Sequence, residues 1–184
     1  MRFEFYPPGT VDFSAPSQLI SDAYNITVSK RVSAAWLLAF DIPVTSSQRD
    51  DLIKGTIIRA DGQLFLISSI TDGTTDGRPY SRISGLHIFW ERCNKIHLPR
   101  TMWIGKPSDE ILSLAFANIF FGDNRIRMLT ADELAPLGLE PVTAPTDIYR
   151  DRVTPLEVAA RIRDHVGGEF YVDNFTWAMN YSKT

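Results

Sequence analysis

The stretch IIRADGQLFLI, residues 57–67, sets two β-rich arms on either side of Asp61-Gly62. Glycine at the second turn position tolerates the positive φ of a tight hairpin, and an Asp-Gly pair between alternating apolar arms is a strong local hairpin signal. Around this hairpin, from about residue 3 to residue 97, the chain is built of short apolar or alternating runs: FEFY, YNITVSKRVSAAWLLAFDI, GTIIRA, QLFLISSI and YSRISGLHIFW. Runs of that kind, bounded by turn residues, are the pattern of an all-β module. SAAWLLAF allows two readings, since Ala and Leu favour helix, but Val28 before it and the stop at Pro43 favour strand. SSITDGTTDGRPYSRI reads as a second hairpin with a longer polar tip, because Gly73, Gly77 and Pro79 interrupt a continuing ladder.

After Pro99 the pattern changes. KPSDEILSLAFANIFF offers Ser108 as a cap, Asp109 and Glu110 in a first turn, and Ile111, Leu112, Ala115, Phe116 and Ile119 at helical spacing. Thr130-Ala-Asp-Glu133 has the spacing of a capping box for a helix of one or two turns that Pro136 stops, and LGLEPVTAPTD then reads as an extended strap. Thr154-Pro155-Leu156-Glu157 combines a threonine cap, a proline at the first helical position and a glutamate that returns a hydrogen bond. Leu156, Ala159, Ile162 and Val166 share one face of that helix, and Gly167 ends it. GGEFYVDNFTWAMN, residues 167–180, follows as two apolar arms about an Asp-Asn turn. A two-stranded ribbon is marginal in water, so this hairpin needs a helix to cover it. The expected fold class is therefore α+β: an antiparallel β-barrel-like module over 1–100, then a small helix-plus-hairpin module over 101–184, with helices near 108–121 and 155–166 and the hairpin at 169–180.

Bulk numbers narrow the function. The chain has 184 residues, enough for two small modules, and its 19 basic and 22 acidic residues leave a formal charge of −3. That balance gives no electrostatic footprint for phosphates or anionic lipid, so neither sequence-specific nucleic-acid binding nor membrane association is expected. MRFEFYPPGT lacks the apolar core of a secretory signal, and no run approaches the roughly 18 apolar residues of a span, so no export by that route and no membrane insertion are expected. A single cysteine, Cys93, makes no internal disulfide and suits synthesis in a reducing cytosol.

Candidate chemistry is sparse. Cys93 and His97 in ERCNKIH have the spacing of half a zinc site or of a thiol beside an imidazole, but a structural zinc needs about four ligands and only His87 and His165 remain as histidines. Asp50-Asp51, Asp109-Glu110 and Asp132-Glu133 are adjacent acidic pairs, which helix first turns favour without any catalytic role. DGTTDG lacks the ligand spacing and terminal glutamate of a calcium loop, and no GxSxG elbow occurs. No catalytic residue, metal ligand or cofactor site is assigned. Trp103, in what reads as a short linker, and Phe120-Phe121 beside Gly122 are the aromatics without an obvious place in either module, which makes them the candidate interface residues.

The order of these pieces resembles the N-terminal region of phage tail hub proteins, the tail-associated lysin or prophage endopeptidase tail family, related to contractile-tail baseplate hubs. In that family an early β-barrel carries a segment like IIRADGQLFLISSI, then a strand like RISGLHIFWERCN, a helical insertion, and a segment like TPLEVAARIRDHVGGEFYVDNFTWAMN. The resemblance runs over residues 3–180 and rests on the series, since each motif alone is explained by local folding. It implies a structural protein of the virion tail tip, made in the cytoplasm of a bacterial host. It further implies a homotrimeric ring docked on the distal tail protein and the tail-tube end, with a passage for the tape-measure protein and DNA. Family members usually continue into a second barrel and often a peptidoglycan-cutting or receptor-binding part, so the chain is expected to be a fragment and any lytic activity to lie outside it. Two alternatives stand beside this: a cell-wall hydrolase using carboxylates or Cys93 with His97, and a carbohydrate- or receptor-binding module using Trp90, Trp103 and Trp177.

Overall fold

Two tight turns organise the first half of the computed structural model. Asp61 and Gly62 have φ of 49° and 72°, and Asp76 and Gly77 have 50° and 72°, the paired positive values that a two-residue hairpin with right-handed strand twist requires. The structure describes residues 3–14, 17–30, 35–121, 124–125, 127–138, 140, 143–167, 169–173 and 178–182. By internal contacts the chain divides into two units, Met1–Glu91 and Arg92–Thr184.

The first unit holds strands β1 (Glu4–Tyr6), β2 (Gln18–Leu19), β3 (Tyr24–Ser29), β4 (Leu37–Pro43), β5 (Ile57–Ala60), β6 (Gln63–Thr75) and β7 (Arg78–His87). They form one antiparallel sheet in the order β2-β1-β5-β6-β7-β4-β3. Its edges are β2 and β3, and among the described residues no ladder joins them, so the expected α+β architecture with a large antiparallel sheet holds and the sheet is barrel-like only in a loose sense. It is nonetheless strongly curled. Phe3, leading into β1, and Phe40 of β4 meet edge to face at 5.0 Å, although four strand spacings in a flat sheet would hold them about 19 Å apart. Irregular register in β3 near Asn25, which has φ of 52°, and in β6 between Ile67 and Ser69 adds the local bend that such curling needs. The concave side packs Phe3, Phe5, Leu38, Phe40, Ile58, Phe65, Ile67 and Ile83 into a buried core.

Two local expectations change here. Beyond the shift at Ser68 the ladder between β6 and β7 runs from Ser69 opposite Ser84 to Thr75 opposite Arg78, so the second hairpin has a two-residue tip and not a longer polar one. Gly73 does not break it: Gly73 lies opposite Tyr80, and a Cβ there would stand 2.9 Å from the tyrosine ring, so the glycine makes room for the aromatic. The strand read through HIFWERCN stops at His87, and the chain turns at once into helix α1 (Ile88–Lys95). Ile88, Phe89, Glu91 and Cys93 are its buried residues, and Glu91 in the first turn with Arg92 and Lys95 in the last complement the helix dipole.

The second unit contains β8 (Thr101–Pro107), α2 (Ser108–Phe116), β9 (Phe120–Phe121), β10 (Asn124–Arg125), β11 (Arg127–Met128), α3 (Ala131–Leu134), β12 (Pro145–Arg150), α4 (Pro155–Val166), β13 (Glu169–Asp173) and β14 (Ala178–Ser182). Both capping boxes are formed, Thr130 with Glu133 and Thr154 with Glu157. Ser108 is not a cap but the first helical residue. Buried, it donates its hydroxyl to the Ala144 carbonyl at 2.7 Å, and α2 stops at Phe116, short of residue 121. Helices α2 and α4 pack together through Ile111, Leu112, Ala115 and Phe116 on one and Val158, Ala159 and Ile162 on the other. Gly167, at φ of 75°, ends α4 as expected. The terminal hairpin is not alone: β11 pairs parallel to β14, giving the order β11-β14-β13, and α2 lies against β11. Its turn is not Asp173-Asn174, because Asp173 pairs with Ala178; residues 174–177 lie outside the described residues.

Candidate interface

Strand β8 alternates sharply. Thr101 is buried and Trp103 half-buried, whereas Met102 and Ile104 are 64% and 68% exposed. Its partner β12 sets Ile148 opposite Trp103 and Tyr149 opposite Met102; Ile148 is buried and Tyr149 is 53% exposed. Directly opposed residues share a face, as do residues two apart, so Met102, Ile104 and Tyr149 form one outward apolar face of a two-stranded ribbon. Trp103 and Ile148 belong to the inward face.

Polar contacts fix this ribbon. The Ser108 and Thr146 hydroxyls lie 2.9 Å apart, and the Ser108 N–H donates to the Ala144 carbonyl at 3.1 Å, tying the end of β8 to the start of β12. The register shifts between Thr146 and Ile148, where Gly105, at φ of 62°, donates its N–H to Asp147 Oδ1 at 2.6 Å. At the other end the Arg100 guanidinium lies over the Tyr149 ring at 5.3 Å and donates to its hydroxyl, so the exposed ring is held in place.

The first unit carries a cavity of about 810 Å³ at the outer ends of β3, β4 and β7, lined by Tyr24, Asn25, Asp41, Arg78, Tyr80 and Arg82 among others. Its central group is the buried Asp41. Arg82 donates to it through Nε at 2.8 Å and a terminal nitrogen at 2.9 Å, and Asn25 Nδ2 donates at 3.0 Å. The Arg82 guanidinium holds the Asp41 carboxyl below its usual range against the opposing effect of burial. A carboxylate that accepts three hydrogen bonds, two of them from one guanidinium, anchors β3, β4 and β7 to one another. Nearby, Arg49 Nε donates to Ser81 Oγ at 2.5 Å and Ser81 donates to Asp72 at 2.6 Å, a second cross-strand chain of polar contacts.

Burial among Trp36 and Phe65 pushes His87 down to about 3, which keeps the imidazole neutral at pH 7. Cys93 is buried in α1, burial raises its thiol above the ordinary value, and His97 is exposed beyond the end of that helix. A thiol in that setting stays protonated. Among the described residues no group of three or more His, Cys, Asp and Glu is placed to hold a metal ion, and no helix is long and apolar enough to cross a membrane.

The sequence placed Trp103 in a linker; it stands in β8. Phe120 and Phe121 form β9, paired antiparallel with β10. Trp90 lies half-buried in α1, and Trp177 lies outside the described residues. Met102, Ile104 and Tyr149 went unnoticed in the sequence. The signal for two of them was the alternation in TMWI, which is too short to register without knowledge of the strand that pairs with it.

No family model matches the chain, and no curated protein matches it. Among solved structures it is similar to prophage tail protein gp18 from Listeria monocytogenes, with a TM-score of 0.63 and 11% identity over 98% of this chain and 50% of that one. It is similar to a tail protein from Neisseria meningitidis, TM-score 0.59 and 15% identity, again over 98% of this chain and 50% of that one. A 43 kDa tail protein of prophage MuSo2 from Shewanella oneidensis gives 0.60 and 13% over 100% of this chain and 53% of that one. The chain thus shares the fold of about half the length of each.

Proposed function

We propose that the chain is a structural component of a phage or prophage tail, and within the tail a hub protein at the tip, where copies form a ring around the channel and dock on the distal tail protein and the end of the tube. The observation that carries this reading is that practically the whole chain follows the backbone of one half of three separate tail proteins, at identities too low for anything but the fold itself to be shared. A non-catalytic role fits the chemistry present. The buried carboxylate Asp41 is tied to Arg82 and Asn25, His87 is held neutral in an aromatic setting, and Cys93 is a buried thiol that burial keeps protonated. An assembly role fits the outward apolar face of Met102, Ile104 and Tyr149 and the open edges of the first sheet, features that a neighbouring chain completes. A threefold ring, with the tape-measure protein and DNA passing through it, is the arrangement that this role calls for.

Cross-linking mass spectrometry on purified tail particles containing the full-length protein tests it. The expected result is three copies per particle, with cross-links to tube-end and distal tail proteins. Absence of the protein from particles, or a location on the tail shaft or fibres, overturns it.

A further inference from the structure

Beside α4 the second unit carries a groove of about 750 Å³ that shares Tyr149 with the outward face above but otherwise lies apart from it. One wall is made by the six residues of β12, 145–150, with Gly105 of β8 reached at the register shift beside Asp147, and the other by Arg161, Asp164 and His165 of α4. Side chains alternate between the faces of a strand, so a cavity lying on one face touches every second residue. A cavity that touches six in succession, including buried Thr146 and Ile148, runs along the edge of the strand and meets its main chain. That edge is free: β12 pairs only with β8 among the described strands. Arg161, Asp164 and His165, at spacings i, i+3 and i+4, project from one flank of the helix above it. A free strand edge facing a helix flank is the geometry in which an extended peptide adds as a further strand.

Charge identifies the occupant. Asp164 is paired with Arg163 at 2.7 Å, and Asp147 Oδ1 turns across the ribbon to the Gly105 N–H, so neither carboxylate is paired with Arg150 or Arg161. Arg150 and Arg161 have no side-chain partner among the described residues. We propose that this groove takes up an extended acidic segment of another protein, which adds as a third strand to the free edge of β12 and sets its Asp or Glu side chains against Arg150 and Arg161. Main-chain hydrogen bonds supply the register and the two guanidinium groups supply the selectivity.

The test uses the full chain and three blocked hexapeptides: alternating glutamate and valine, alternating lysine and valine, and the glutamate peptide N-methylated at alternate amides on its pairing edge. Hydrogen exchange followed by NMR reads the amides of residues 146–150, and titration calorimetry reads affinity. The glutamate peptide is expected to slow exchange along this edge about tenfold at saturation, to bind more weakly as salt is raised, and to lose about tenfold or more in affinity on R150E or R161E. The lysine and N-methylated peptides are expected not to bind. Failure of the glutamate peptide to bind at millimolar concentration overturns the proposal, as does equal binding of the lysine peptide. Binding that survives N-methylation removes strand addition, and protection elsewhere in the chain removes the site.

Discussion

His87 shows how one side chain ties packing to solution behaviour. Its imidazole is fully enclosed, edge to face with Trp36 and Phe65 at 5.1 and 5.6 Å, and within reach of Gln63 through Nε2 at 3.2 Å. Burial, helped by the charge of Lys30, lowers it from 6.5 to about 3. The unfolded chain therefore binds a proton that the folded chain refuses. Stability is full above pH 6.5 and falls as pH drops from there towards 3, by a loss on the order of 4 kcal/mol if this group acts alone. Urea unfolding at pH 7 and pH 4.5 checks this: the difference in midpoint is expected to shrink in H87Q. A backbone effect is tested at Gly62, whose φ of 72° is left-handed and whose missing Cβ would meet nothing within 4 Å. G62A is expected to cost about 1 kcal/mol from strain alone, read as a shift in the chemical denaturation midpoint. Gly62 was legible in the sequence because an Asp-Gly pair between two apolar arms leaves few options other than a two-residue turn, whereas Gly77, in a polar stretch with two further turn residues, was read into a longer tip. Gly73 was not legible, because its reason is the ring of Tyr80 on the neighbouring strand.

The helices repeat that contrast over longer stretches. Where the information is local, it was complete: in α4, Thr154 Oγ1 accepts the Glu157 N–H at 3.2 Å, and the Glu157 carboxylate accepts the Thr154 N–H. Removing the cap in T154A is expected to cost about 1 kcal/mol, and E157Q less, measured by thermal unfolding. In α3, Arg127 and the Thr130 N–H hold Glu133 down to about 2, so this box keeps its charge until pH falls well below the ordinary carboxylate range. Where the information was distant, the local pattern misled. Ser108 has every attribute of a cap, yet its hydroxyl is taken by Ala144, 36 residues on. HIFWERCN is rich in strand-forming aromatics, yet the charges of Glu91, Arg92 and Lys95 suit a helix end to end. TMWIGKP looked like a linker because β12, which makes it a strand, starts only at Pro145. The candidate interface was therefore half visible: Trp103 was picked out, but its exposed neighbours emerge only when the ribbon is assembled.

For the chain as a whole, the outward face of that ribbon separates folding from assembly. M102D/I104D replaces two apolar groups that are about two-thirds exposed, so its thermal midpoint is expected to stay within a few degrees of the parent. Its incorporation into tail particles, scored by immunoblot of purified particles, is expected to fall at least tenfold. Unchanged incorporation would remove this face from the proposed docking contacts.

The order β2-β1-β5-β6-β7-β4-β3 also bears on how the protein comes off the ribosome. β1 with β2, β3 with β4, and β5 through β7 can zip up between neighbours in the chain, but to join one sheet β1 must wait for β5, and β4 for β7, each roughly forty to fifty residues behind it in translation. The nascent N-terminal segment, with Phe3, Phe5, Leu38 and Phe40 uncovered, therefore stays unsatisfied until His87 has cleared the exit tunnel, and in that interval it is a natural client for a chaperone.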